Sequence, residues 1–126
     1  MRRFGICEEK GSGVDKVIQA AEFYQLPAPD FRVGEVRTTA VLFAHKEFEQ
    51  MERSERVRAT YQHCCLRYVM NEKMTNQSLR ERFKLPEKKS ESVSRAIRDS
   101  IEANKIKLTD PETSSFRYRS YVPFWA

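Results

Sequence analysis

No apolar run in this sequence approaches the roughly 20 residues that a membrane span requires, and Met1-Arg2-Arg3 leads into no secretory h-region. A soluble, cytoplasmic protein is expected. Cysteine is scarce: Cys7, Cys64 and Cys65 are odd in number and lack CxxC spacing, which argues against a disulfide framework or a zinc knuckle. Cys64 and Cys65 follow His63 in a helical pattern, where neighbours point about 100° apart and do not readily close on one metal. Core packing of reduced thiols is therefore expected, with no metal site. Also missing are a GxxxxGK[ST] phosphate loop, a pair of catalytic carboxylates, and a Ser/His/Asp or Cys/His set in a recognisable motif. With 126 residues, 40% of them hydrophobic, the chain has material for one modest core or two small ones, not for a multidomain enzyme. No enzymatic activity of its own is expected.

Charge is unevenly distributed. Residues 1–51 carry seven Lys/Arg against eight Asp/Glu, and residues 52–126 carry sixteen against ten. The basic carboxyl-terminal segment suggests a phosphate-bearing partner, because each Lys or Arg that meets a phosphate releases condensed counterions. The competing reading of the same charges is a solvated Lys/Arg-rich surface.

Ser12 is placed to cap a helix with Asp15 three residues on, and Val14, Val17, Ile18 and Ala21 recur at helical spacing. Leu26-Pro27-Ala28-Pro29 reads as a rigid extended connector. Asp30–Val33 and Val36–Phe43 then flank Gly34-Glu35, a pair that suits a type II′ hairpin. Two strands and one helix are marginal alone, so a larger whole is expected around them. His45–Arg53 is polar, either a linker or the lead-in to a helix.

A longer helix starts at Ser54-Glu55-Arg56-Val57, with Val57, Tyr61, Cys64, Cys65, Tyr68 and Val69 as its apolar stripe, and ends at Asn71-Glu72-Lys73. Thr75 is the expected N-cap of a short helix, Asn76–Phe83, with Leu79 and Phe83 inward; Leu85-Pro86 makes a turn. Another helix follows over Lys88–Asn104, its buried face marked by Val93, Ile97 and Ile101, with Ala96 and Ser100 beside it. Lys105–Leu108 and Phe116–Val122 alternate as strands around the turn-rich Thr109–Ser115. Two helices joined by a tight turn are the layout of a helix-turn-helix, whose second helix can lie in a DNA major groove. The expected class is α+β: a small helix-plus-hairpin segment, residues 1–45, a linker, 46–53, and a winged helix-turn-helix domain, 54–126, of three helices and a β-hairpin wing.

Three blocks carry a family resemblance: Glu9-Lys10-Gly11-Ser12-Gly13-Val14-Asp15-Lys16, Met74-Thr75-Asn76-Gln77-Ser78-Leu79-Arg80-Glu81-Arg82-Phe83, and Arg119-Ser120-Tyr121-Val122-Pro123-Phe124-Trp125-Ala126. In these the chain resembles the carboxyl-terminal part of bacterial RecG-related proteins, labelled ATP-dependent DNA helicases or transcriptional regulators. Full-length relatives have a Schlafen/AlbA-type DNA-binding domain at the amino terminus. The resemblance implies the tail of an ATP-binding-like region followed by a winged helix, in a fragment or a short descendant of such a protein. Gly11, Ser12 and Gly13 are the positions matching its ATP-binding assignment, with ATP bound only if a missing domain supplies the rest of the site; a plain capping turn is the competing reading.

With Val93, Ile97 and Ile101 inward, the helical period turns Glu91, Arg95, Arg98, Asp99 and Glu102 outward. The expected DNA contacts are Arg95 and Arg98 in the groove, and Lys88, Lys89, Ser90 and Ser92 around the first turn. Asn76, Gln77 and Ser78 are expected on the backbone, and Arg117 and Arg119 on the wing. Tyr118 and Val122, sharing a face with Phe116, are expected inside. The three outward acids would repel phosphate, which keeps open an alternative: a protein-interaction or dimerisation module regulating a larger ATP-binding protein, with Tyr121, Phe124 and Trp125 as anchors. The partners expected are duplex DNA, then a second copy or a missing amino-terminal domain, and no membrane.

Overall fold

A computed structural model of the chain describes residues 13–24, 26–113, 115 and 118–126, with every side chain among them but that of Asp15. Cys7, Gly11, Ser12, Phe116 and Arg117 lie outside the described residues, and so does the expected pairing of Ser12 with the Asp15 side chain. The architecture is α+β, with four α-helices and two small antiparallel hairpins among the described residues.

Helix α1 (Gly13–Phe23) buries Ile18 and Ala21 and leaves Val17 exposed. After the proline connector, β1 (Asp30–Val33) pairs with β2 (Thr38–Val41), with Asp30 opposite Val41 and Val33 opposite Thr38. The second strand is shorter than its sequence suggested, and the turn is displaced by one residue. The Gly34 N–H donates to the Arg37 carbonyl at 2.8 Å, so Glu35-Val36 rather than Gly34-Glu35 occupy the tip. A Cβ at position 34 would stand 3.0 Å from that carbonyl oxygen, so glycine serves the close approach of the two backbones.

Residues 46–53 contribute to the core. A 3-10 turn, Phe48–Gln50, buries Phe48, and Met51 follows it inside. Arg56 holds the turn by donating twice to the Phe48 carbonyl, at 2.7 and 3.1 Å, with its guanidinium 4.0 Å from the Phe48 ring centre.

Helix α2 (Arg53–Val69) is followed by a bridge between Met74 and Tyr121, then by α3 (Asn76–Arg82), α4 (Ser90–Glu102), β3 (Ile106–Leu108) and β4 (Tyr121–Pro123). Thr75 caps α3 reciprocally: its Oγ1 accepts from the Ser78 N–H at 3.1 Å, and the Ser78 Oγ accepts from the Thr75 N–H at 3.0 Å. Only four glycines are present in the whole chain, and none ends these helices. The left-handed residues just past α2, α3 and α4 are Asn71, Lys84 and Asn104, with φ of 62°, 53° and 59°. Each is followed by an N–H that reaches back to a carbonyl of the last turn, as in Leu85 to Arg80 at 2.9 Å.

One core cluster gathers Met74, Leu79, Phe83, Val93, Ile97, Cys64, Phe48, Ile106 and Tyr121. A second joins Ile18 of α1 to Cys65 and Leu66 of α2, with Trp125 against it. Adjacent thiols thus enter different clusters, as their helical offset requires. Burial pushes the Cys64 thiol far above its ordinary range.

Two expectations about the core are corrected. Ile101 is exposed, while Ala96 and Ser100, expected beside the buried face, are buried with Val93 and Ile97. The buried stripe of α4 is thus rotated toward its small residues, which let two helices approach closely, and α4 packs chiefly on α2. Tyr118 is 73% exposed, because the final strand begins only at Tyr121 and the ladder ends at the Leu108–Tyr121 pair. Val122 is buried, as its alternation implied.

Candidate nucleic-acid interface

The outward face of α4 follows from which residues its core face takes. Val93, Ala96, Ile97 and Ser100 point in, so Glu91, Arg95 and Arg98 are exposed one helical face away. Neither arginine forms an ion pair with the described residues. The acids at the carboxyl-terminal end of α4 are placed differently. Arg53 at the start of α2 lies 3.4 Å from Asp99 and 3.4 Å from Glu102, through Nε and Nη2 respectively. Arg53 is well exposed, so these pairs add little stability, but they neutralise two of the three acids expected to oppose a phosphate. Glu91 remains beside Arg95.

Four expected contact residues meet in one recess of about 540 Å³ between α3, α4 and the loop before β4. Asn76, Gln77, Ser90 and Arg119 line it, together with Arg80 and Ser94, which sequence alone did not single out. The signal for Arg80 was present: it stands four residues after Asn76, on the same helical face. Arg119 is partly committed, its Nε donating to the Thr113 carbonyl at 3.4 Å.

Two of the expected backbone clamps are engaged inside the protein. Asn76 donates to the Ser90 carbonyl at 3.2 Å and to Ser94 Oγ at 2.9 Å, and its Oδ1 accepts from Arg80 Nε at 2.9 Å and from Ser90 Oγ at 3.2 Å. Its bonds join the first turns of α3 and α4. Ser78 is buried, because its hydroxyl closes the cap and faces His63 rather than solvent. Gln77 is exposed and donates to Glu81 at 3.2 Å.

Lys88 is exposed and Ser92 half-buried, while Lys89 lines a separate recess against residues 45–51. The first-turn residues are therefore divided between two sides of the molecule. Gly13, the described member of the glycine trio, opens α1 in open space, with nothing within 4 Å of a Cβ placed on it. No metal-binding group of three or more His, Cys, Asp or Glu occurs among the described residues, and no helix there is long and apolar enough to cross a membrane.

A wider groove, about 780 Å³, runs on another side between β1, α2 and the end of α4. Its walls include Phe31, Val57 and Tyr61, and its rim carries charges of both signs: Arg53, Arg58 and Lys105 with Asp30, Asp99 and Glu102.

Comparison with known families bears on the amino-terminal third. Residues 1–42 match the model of a family described as putative ATP-dependent DNA helicase recG C-terminal. The match is consistent with a RecG-related carboxyl-terminal region and contains the first of the three blocks that carried the resemblance. It covers α1 and the β1–β2 hairpin; the helices and hairpin from α2 onward lie beyond it. Nothing among the curated proteins or the solved structures matches the chain.

Proposed function

We propose that residues 53–126 are a winged-helix DNA-binding module of a RecG-related protein, with no motor of their own. The observation that carries the reading is the sorting of charge on α4: Arg95 and Arg98 project without an ion pair to the described residues, while Arg53 engages Asp99 and Glu102. The element order supports it. Helix, bridge at Met74, two helices and a hairpin whose β4 pairs both with β3 and with Met74 is the sequence of parts in a winged helix. In this reading α4 enters the major groove, Lys88 and Gln77 approach phosphates, and the loop carrying Arg119 serves as the wing. Gene regulation, one of the labels in the resembling group, is the role such a module suits.

A second reading is favoured by the 780 Å³ groove, whose apolar walls and mixed rim suit a protein segment better than a polyanion. Amide NMR of the chain titrated with a short duplex separates the two. The DNA-binding reading expects shifts at Gln77, Lys88, Arg95 and Arg98; no shifts, or shifts confined to Phe31, Val57 and Tyr61, contradict it.

A further inference from the structure

Helix α1 is tied to the carboxyl-terminal helices by a row of buried and half-buried polar contacts. Glu22, on its last turn, lies 2.9 and 3.1 Å from His63 Nδ1 through its two carboxylate oxygens. On the other side of the ring, His63 Nε2 lies 3.1 Å from Ser78 Oγ. Ser78 closes the first turn of α3 on Thr75, and Asn76, two residues before it, binds Ser90 and Ser94 at the start of α4. His63 is only 4% exposed and Ser78 8%. Arg82, also buried, sets its Nε 3.6 Å from the Glu22 carboxylate and donates from Nη2 to the Leu26 carbonyl at 2.8 Å.

Serine, histidine and carboxylate in a row also resemble the layout of a hydrolase triad. Here the hydroxyl is buried and engaged with the Thr75 backbone, so the row acts by position. A carboxylate only accepts, so Glu22 holds the proton of a neutral His63 ring on Nδ1 and leaves Nε2 to accept from the Ser78 hydroxyl. That hydroxyl has a competing acceptor, the Thr75 carbonyl at 3.1 Å. It therefore has two orientations, and the His63 tautomer selects between them.

We propose that Glu22, His63 and Ser78 form a coupling relay in which the docked position of α1 sets the first turns of α3 and α4. Glu22 and His63 are then positioning residues for the duplex-binding face, and the inference rests on the DNA-binding reading above. Because α1 lies within the RecG-related segment, any change that withdraws Glu22 reaches the interface through Ser78 and Asn76. Buried polar groups left unpaired are costly, which makes the relay respond to the loss of a single partner.

The test uses the full chain with Glu22→Gln, which keeps the shape and removes the charge. Imidazole nitrogen shifts are expected to show His63 losing its single tautomer, amides at Thr75, Ser78, Ser90 and Ser94 to shift, and duplex affinity to fall about fivefold or more. In a Ser78→Ala background the Glu22→Gln change is expected to have no further effect on Ser90 and Ser94, since its path is already cut. Unchanged tautomer and amides in Glu22→Gln, or effects that simply add in the double variant, overturn the relay. Should Glu22→Gln not fold, Glu22→Ala, which removes the acceptor altogether, is read in the same way. If the wild-type chain binds no duplex, the DNA-binding reading fails, and the tautomer and amide measurements judge the relay by themselves.

Discussion

The β1–β2 and β3–β4 hairpins are both two-stranded antiparallel ribbons, yet their surroundings are opposite. Val33 is 61% exposed and Val36, at the tip of the first hairpin, 95% exposed, and β2 is open along most of its length. In the second hairpin Tyr121, Val122 and Pro123 are all buried, Ile106 joins the main core, and Met74 pairs with Tyr121 from outside the ribbon. A two-stranded ribbon has little stability of its own. What differs is the support each receives. The second hairpin is held by the three-helix core, whereas the first is attached by Phe31 packed against the smaller cluster and by the connector before it. There Arg82, Arg58 and Gln62 donate to the carbonyls of Leu26, Ala28 and Pro29 at 2.8, 3.3 and 2.6 Å.

The sharpest way to break this comparison is to cut the support of each region. Leu79→Ala removes a fully buried side chain shared by α3 and the main core and is expected to cost about 2–5 kcal/mol in urea unfolding. Val36→Thr, at the tip of the first hairpin, is expected to stay within about 0.5 kcal/mol. Comparable losses at both positions would erase the distinction. A smaller effect sharpens it from the helical side. Lys84 adopts a left-handed backbone with φ of 53°, so Lys84→Gly is expected to raise stability by about 0.5–1 kcal/mol. A loss of stability on thermal unfolding would show that the lysine side chain offsets its strain.

The smallest effect falls at the junction of the two regions. Glu55 accepts from the Glu52 backbone N–H at 2.9 Å and from Lys46 at 2.9 and 3.2 Å. The backbone bond first, and Lys46 second, hold its carboxyl below the ordinary value of 4.5. A lowered folded pKa contributes stability that is present above 4.5 and is lost as pH falls through the lowered value. Glu55→Gln should therefore flatten the acid side of the stability profile and leave the alkaline side unchanged. An unaltered acid limb in pH-dependent denaturation would contradict this.

How much was legible in the sequence follows the range of each interaction. The Thr75 cap, the inward Leu79 and Phe83 of α3, and Val93 and Ile97 were readable because capping and helical period act over three or four residues. In the last turn of α4 Ile101 misled, since it is the more apolar residue, and the packing of α4 on α2 draws in Ser100 beside it instead. The expected strand was drawn through residues 118–120 from alternation, but a strand needs a partner, and β3 is three residues long. At the candidate interface, the outward positions of Arg95 and Arg98 were legible by counting around a helix. The neutralising Arg53 stands 46 and 49 positions before Asp99 and Glu102, and the row from Glu22 to His63 to Ser78 spans 41 and 15 positions. No local pattern marks such pairs.

The most direct test of a DNA-binding α4 is the affinity of the full chain for a labelled duplex across a series of salt concentrations, beside Arg95→Ala/Arg98→Ala. If α4 reads DNA, log affinity falls linearly with log salt by about 0.9 per phosphate contact, and the variant binds more weakly. Should the paired arginines reach phosphates rather than base edges, its slope is shallower by about 1.8. Absence of binding at the lowest salt, or identical affinity and slope in wild type and variant, would contradict it.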